Sequence, residues 1–113
     1  MQTRIETQAD GQIVIQPNGA LDREMLTEFL NVCAPYSQMS GARLVLDMSH
    51  VVYVSNEGLH ALTDLQARLA ANGGALAVFG VGAFVYKVFE MTGAARTLRI
   101  FETRVQALGS AGA

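Results

Sequence analysis

The chain has 113 residues, half of them hydrophobic, and a formal net charge of −2. This length and composition predict one folded domain with a single core and argue against disorder. The eight Lys and Arg residues form no basic stripe, which argues against nucleic-acid binding, and the single cysteine excludes an internal disulfide or a metal cage built from cysteines.

The N-terminal residues lack the apolar run of a signal peptide. No apolar stretch approaches the roughly 20 residues that a membrane-spanning helix needs. We therefore expect a soluble, cytoplasmic protein without membrane contact. Its surface is poor in charge, which leaves apolar area for a partner protein or for a homodimer.

The first part of the chain predicts a β-hairpin followed by a helix. Residues 3–7 and 12–16 have the composition of strands and flank an Asp-Gly turn. Asp22 is a candidate N-cap, and apolar residues at helical spacing follow it up to Cys33. We expect this helix to end near Ala34, because Pro35 disfavours a helical residue before it.

The centre of the chain predicts a buried strand that leads into a second helix. Residues 43–48 have the unbroken apolar centre of a strand covered on both faces, and a second apolar run covers residues 51–54. Residues 55–58, Ser-Asn-Glu-Gly, then begin an amphipathic helix that ends at an Asn-Gly-Gly turn. The N–H groups at such a helix start favour anions, so we expect a functional surface there.

The second half continues the alternation of strands and helices. Residues 75–79 and 98–101 predict strands, and residues 102–108 a final helix before a flexible tail, residues 109–113. Between the two strands, apolar residues at helical spacing predict a helix that ends at Thr92-Gly93: Phe84, Val85, Val88, Phe89 and Met91.

This order predicts a single α/β domain, residues 1–108. Its sheet should be mixed and mainly parallel, with about five strands, an opening hairpin and four helices. In such a sheet, function is expected at the carboxyl ends of the strands.

Residues suited to catalysis or metal binding are present but poorly arranged. Ser55 lies near Asp47 and His60 in the sequence, but the preceding glycine of a nucleophile elbow is missing. His60 and Asp64, four residues apart, are too few for a metal site and fit a solvent-facing polar pair. The Gly-Val-Gly at residues 80–82 lacks the remainder of a nucleotide-binding motif. We expect no enzymatic activity, cofactor or metal.

The Ser-Asn-Glu-Gly step also has a purely structural interpretation. Ser55 or Asn56 can cap the helix, and Glu57 complements the helix dipole. Gly58 lies in the first helical turn, where glycine costs about 0.5–1 kcal/mol relative to alanine. We therefore expect something to approach the backbone closely at Gly58.

Four motifs resemble the STAS domain of bacterial anti-sigma factor antagonists. Residues 44–54, followed by three small or polar residues and Gly-Leu, are similar to its central strand and helix start. Gly-Ala-Leu-Asp at residues 19–22 resembles G-x-L-D, Gly-Gly at residues 73–74 precedes the fourth strand, and residues 88–93 look like its late helix ending in Met-Thr-Gly. The resemblance covers residues 13–108.

This resemblance implies a partner switch. In that family the antagonist docks onto an anti-sigma factor, a serine kinase of the histidine-kinase-like ATPase type, and is inactivated by phosphorylation of a Ser or Thr at the helix start. Aligned on Gly58, the acceptor position holds Asn56, which cannot accept phosphate. Either the partner binds without phosphorylation control, or Ser55 accepts the phosphate, or Glu57 imitates it. We prefer the first explanation.

We expect the partner to bind at and around the second helix start. The candidate residues are Asp22, Ser55, Asn56, Glu57, Gly58, Leu59, His60 and Asp64. Two other roles remain open. One is a STAS subunit of a lipid ABC transporter or of a larger sensory complex, with other STAS or sensory proteins as partners, and the other is sensing of a small or lipidic ligand.

Overall fold

The computed structural model describes residues 3–111 and contains seven strands and five helices in that range. The strands are β1 (Thr3–Thr7), β2 (Ile13–Pro17), β3 (Gly19–Leu21), β4 (Arg43–Asp47), β5 (Val51–Val54), β6 (Ala75–Phe79) and β7 (Arg99–Phe101). The helices are α1 (Arg23–Ser37), α2 (Asn56–Ala71), α3 (Ala83–Thr92), α4 (Ala94–Thr97) and α5 (Arg104–Ala111).

The main sheet has five strands in the order β1-β2-β4-β6-β7. β1 and β2 form an antiparallel hairpin, and each of the other neighbouring pairs is parallel. Gly11, with φ of +90°, supplies the turn between β1 and β2. The predicted mixed, mainly parallel sheet with an opening hairpin is therefore confirmed.

A second, two-stranded sheet was not predicted. β3 pairs with β5 in parallel, and the register shifts between Gly19 and Ala20. These strands have three and four residues, which is too short for an alternating pattern to distinguish them from a loop. This small sheet carries the chain from β3 into α1 and from β5 into α2.

The main sheet is covered on both faces, as the apolar centre of β4 predicts. Leu44 and Leu46 belong to a large core on the face of α1 and α2, whereas Val45 faces a smaller core that includes Ala107 of α5. The side chains of these three residues have no exposed area. Burial on both faces explains why β4 shows no polar alternation.

The predicted end of α1 at Ala34 was wrong. Pro35 lies inside the helix, which continues to Ser37. The proline removes one helical hydrogen bond, the one its N–H would have donated four residues back, and only two helical residues follow it. The Ser37 hydroxyl donates to the Ala34 carbonyl at 2.9 Å, and the Ser37 carbonyl accepts from Asn72 Nδ2 at 2.7 Å. These contacts hold the last turn of α1 against the end of α2.

The end of the chain differs from the prediction in two further ways. Gly93, with φ of +85°, ends α3 and allows the four-residue helix α4 to follow, so the described residues contain five helices instead of four. Helix α5 includes Gly109, Ser110 and Ala111, which were assigned to the tail, and the last two residues of that predicted tail lie outside the described residues.

Candidate functional site

Ser55 is the N-cap of α2 and joins that helix to strand β3. Its Oγ accepts a hydrogen bond from the Gly58 N–H at 3.0 Å and donates one to the Leu21 carbonyl at 3.2 Å. The backbone N–H of Ser55 donates to the same carbonyl at 3.0 Å. The hydroxyl therefore acts as both donor and acceptor, and both hydrogen bonds hold the start of the helix.

Gly58 is the point of closest approach between α2 and β3. A Cβ atom at this position would lie 2.5 Å from the Leu21 carbonyl oxygen and 2.9 Å from Val54 Cγ1. The close approach predicted from the sequence exists, but it comes from the chain's own backbone. Gly58 is therefore required by the packing of α2, independently of any bound partner.

Asp22 holds the start of α1 in the same region. Its carboxylate accepts from the Met25 N–H at 3.4 Å, which confirms the predicted N-cap. The residue before it, Leu21, supplies the carbonyl that binds Ser55. The two helix starts therefore meet at the end of β3, with Asp22 half-buried.

The exposed side chains of α2 lie next to these buried contacts. Asn56, Glu57 and His60 are exposed in the first turns of the helix. Asp64 is also exposed, and its carboxylate forms an ion pair with Arg68 at 2.9 Å. The interpretation of Asp64 as half of a polar pair with His60 is thereby corrected, because its partner is one turn later in the helix.

Leu59 was a predicted contact residue but is only 6% exposed and belongs to the core. Its small exposed part lines a groove of about 300 Å³ between α2 and the α3–α4 junction. Asn56 and His60 lie on one side of this groove, and Thr92 and Thr97 on the other. Leu59 therefore supports the surface more than it forms it.

The side of the groove formed by α3 and α4 was not among the predicted site residues. Thr92, Gly93, Ala94 and Thr97 line it, and Thr63 of α2 also lines the groove. The signal for part of it was present in the sequence, because the Met-Thr-Gly motif covers two of these residues. The fold brings that motif next to the helix start that carries the acceptor position.

An exposed apolar area accompanies the α2 start. Val52 and Tyr53 project from β5, and Val52 is 69% exposed. Helix α3 packs beside β5 and exposes Phe84 and Met91, although its buried contacts come from Val85 and Phe89. Helical spacing alone did not distinguish the exposed members of that apolar set from the buried ones.

Asp47, which was considered as a catalytic acid, has a structural role at the end of β4. It is 7% exposed, and its Oδ1 accepts from the Ser49 hydroxyl at 2.6 Å and from the Ser49 N–H at 3.0 Å. Its Oδ2 accepts from Gln16 Nε2 at 2.7 Å. Burial raises the pKa of Asp47, but these hydrogen bonds outweigh it and hold the pKa below its usual value.

Neither a metal-binding cluster nor a membrane-spanning helix is present among residues 3–111. Clusters of three or more His, Cys, Asp or Glu side chains placed to hold a metal ion are absent from that range. None of the helices described there combines the length and the apolar character that crossing a membrane requires.

The model of the STAS domain family matches residues 4–107. The chain belongs to the STAS domain family. The features described above are therefore those of a STAS domain: the start of α2 at Ser55, the groove, and the exposed side chains of β5 and α3. No curated protein sequence matches this STAS domain significantly.

Solved structures with the same fold include two anti-sigma factor antagonists. One, from Mycobacterium paratuberculosis, is 22% identical with a TM-score of 0.86, and the match covers 99% of this chain and 94% of the other. An anti-sigma-factor antagonist (STAS) domain protein from Planctomyces limnophilus is 14% identical with a TM-score of 0.83, covering 98% of each chain.

A sulfate transporter family protein from Wolinella succinogenes has the same fold. It is 21% identical with a TM-score of 0.71, covering 88% of this chain and 83% of the other. At these identities the likeness concerns the fold.

Proposed function

We propose that this STAS domain is an anti-sigma factor antagonist that acts in the cytoplasm as a non-enzymatic interaction module. The partner is an anti-sigma factor kinase of the histidine-kinase-like ATPase type. The observation that carries the proposal is the combination of exposed polar and apolar side chains around the start of α2. This docking surface consists of Val52, Tyr53, Asn56, Glu57 and His60.

The remaining predicted residues support the docking surface. Ser55 and Gly58 fix the start of α2 against Leu21, and Asp22 fixes the start of α1. Asp64 is exposed one turn beyond His60 and extends the polar side of the surface. A partner helix could therefore contact preformed side chains at little ordering cost.

A binding role is favoured over catalysis by the hydrogen bonds of Ser55. A nucleophilic serine donates its proton to a general base. The Ser55 hydroxyl donates to the Leu21 carbonyl, which cannot accept a proton in a catalytic step.

The same contacts favour binding without phosphorylation control. Asn56 occupies the acceptor position, is exposed and has no hydroxyl. A phosphate on Ser55 would remove its hydroxyl proton and the hydrogen bond to Leu21, and would disturb the N-cap. Glu57 has one charge and two acceptor oxygens, which makes it a weak substitute for a phosphate.

Affinity purification from the native cell with mass spectrometry tests the proposed partner. We expect an ATPase-type anti-sigma factor with wild type and its loss with Val52→Glu. The matched control is Val105→Glu, because Val105 is also exposed and lies on α5, which covers the opposite face of the main sheet. Recovery of no such ATPase, or equal loss with both variants, contradicts the proposal.

A second candidate role is that of a regulatory STAS subunit of a transporter. The likeness to the sulfate transporter family protein favours it. In that case the same purification would recover a membrane permease. The ATPase-type anti-sigma factor would then be absent with wild type as well as with Val52→Glu.

A further inference from the structure

Strand β1 forms one edge of the main sheet within the described residues. It pairs with β2 on one side, from Thr3 opposite Pro17 to Thr7 opposite Ile13. An edge strand presents a row of backbone N–H and C=O groups on its outer side, which can pair with another strand. Four of the five residues of β1 are exposed, and the strand contains neither the proline nor the lysine that often protects an edge.

The sequence of β1 is symmetric in chemical type about its central residue. It reads Thr-Arg-Ile-Glu-Thr, with Ile5 at the centre. In an antiparallel pair of two such strands centred on Ile5, each Thr faces a Thr and each Arg4 faces a Glu6. Opposite charges directly across an antiparallel pair are stabilising, and like charges are destabilising.

The side chains of β1 are placed for this pairing. Arg4 and Glu6 alternate with Ile5, so both charges lie on one face of the sheet, the face of α5, where Arg104 forms an ion pair with Glu6 at 3.0 Å. Glu6 keeps 61% of its side chain exposed in that ion pair, which leaves room for a second cation. Ile5 lies on the other face, beside the buried Ile15, and is 47% exposed.

We propose that β1 is the contact surface for a second copy of this chain. The two β1 strands pair antiparallel about a two-fold axis at Ile5 and join the two main sheets into one. Arg4 of each copy lies opposite Glu6 of the other, and the two Ile5 side chains cover each other. This contact is isologous, because one surface meets itself, and the inference does not rest on the proposed function.

Charge reversal tests the register. We expect sedimentation velocity to show reversible association of the 12.1 kDa chain into a dimer. Arg4→Glu places acid opposite acid in both cross-strand pairs, and Glu6→Arg places base opposite base, so each variant alone should dimerise about tenfold more weakly. The double variant, and an equimolar mixture of the two single variants, should recover the wild-type affinity because opposite charges face each other again.

Lys87→Glu is the matched control, since it changes the charge of an exposed residue by the same amount on α3. It should leave the dimer unchanged. A chain that stays monomeric at millimolar concentration, or a dimer in which the mixture gains nothing over the single variants, overturns the proposal. Thermal melting of each variant identifies any loss that comes from unfolding.

A thiol placed on the two-fold axis gives a second measurement. Under mild oxidation, Ile5→Cys should form a covalent dimer, whereas Thr7→Cys should not, because Thr7 faces Thr3 of the other copy in this register. Burial raises the pKa of the native Cys33 thiol to about 12, so Cys33 does not compete at neutral pH. Equal cross-linking of both variants, or of neither, contradicts pairing centred on Ile5.

Discussion

Gly58 sets how closely α2 can approach β3. A Cβ atom there would meet the Leu21 carbonyl oxygen and the Val54 side chain, and a backbone carbonyl cannot move aside as a flexible side chain can. This steric limit explains a glycine in a helical turn where alanine would otherwise be preferred.

Replacing Gly58 by alanine should therefore destabilise the fold. Overpacking costs about 1–3 kcal/mol and should exceed the gain in helix propensity of about 1 kcal/mol. Urea denaturation gives the free energy of unfolding. Gly109→Ala is the control, since Gly109 lies in α5 with open space around it, and it should be neutral or slightly stabilising. Equal effects of the two substitutions would show that close packing at Gly58 is not the cause.

Asp47 should make the stability depend on pH at the acidic end. Its pKa is lowered from the ordinary value of 3.8 by hydrogen bonds from Ser49 and Gln16 that outweigh burial, so its folded form binds a proton less readily than its unfolded form. The stabilisation is present above pH 3.8 and is lost as the pH falls through the lower folded-state pKa.

Asp47→Asn tests this dependence. At pH 7 we expect a loss of about 1–3 kcal/mol, because the amide replaces one charged acceptor by a donor facing other donors. Urea denaturation should show the difference from wild type shrinking as the pH falls below 3.8. A constant difference from pH 7 to pH 2.5 would mean that the charge of Asp47 contributes nothing.

At the scale of elements, the start of α2 separates the cap from the acceptor position by one residue. Ser55 makes the hydrogen bonds that hold the helix, while Asn56 is exposed at the first helical position. A phosphate at residue 56 would lie at the positive end of the helix dipole without displacing the cap.

Asn56→Ser should therefore introduce a phosphorylation switch. We expect incubation with the partner kinase and ATP to add one phosphate to this variant and none to wild type, as measured by intact mass, and the phosphorylated form to lose the partner. Asn56→Ala should bind the partner and remain unmodified. A phosphate on wild type that disappears in Ser55→Ala would instead identify Ser55 as the acceptor.

The elements also show how far the sequence could predict this fold. The five strands of the main sheet have apolar runs or turn residues that identify them, whereas β3 and β5 are recognised only once they lie side by side. Pro35 predicted too early an end for α1. The contact that holds the last turn of this helix joins Ser37 to Asn72, two residues that are far apart in the sequence. Phe84 and Met91 fit the same helical spacing as Phe89, and only the position of α3 decides which of them is buried. The start of α2 at Ser55 was predictable because its capping hydrogen bond joins residues that are close together in the sequence.

At the scale of the whole molecule, stability should be highest in the strands that are covered on both faces. β4 and β6 lie in the interior of the main sheet, between the core of α1 and α2 and the core of α5. β1 is at an edge, and most of its side chains are exposed.

Amide hydrogen exchange should follow this order. Amides of β4 and β6 should exchange only through global unfolding, while those of β1 should exchange faster through local opening. Raising the protein concentration should slow exchange in β1 if the edge pairs with a second copy, and mass spectrometry of peptides measures both effects. Exchange in β4 as fast as in β1 would contradict a common two-sided core.

At the start of α2, the residues that hold the helix in place are different from the residues that face solvent. Ser55 and Gly58 are fixed by the fold, whereas the two residues between them face solvent. A library randomised at Asn56 alone should therefore sample new binding specificities while most of its members keep the parental melting temperature. Duplicated copies of such a domain could acquire distinct partners through one codon, without any compensating change in the core.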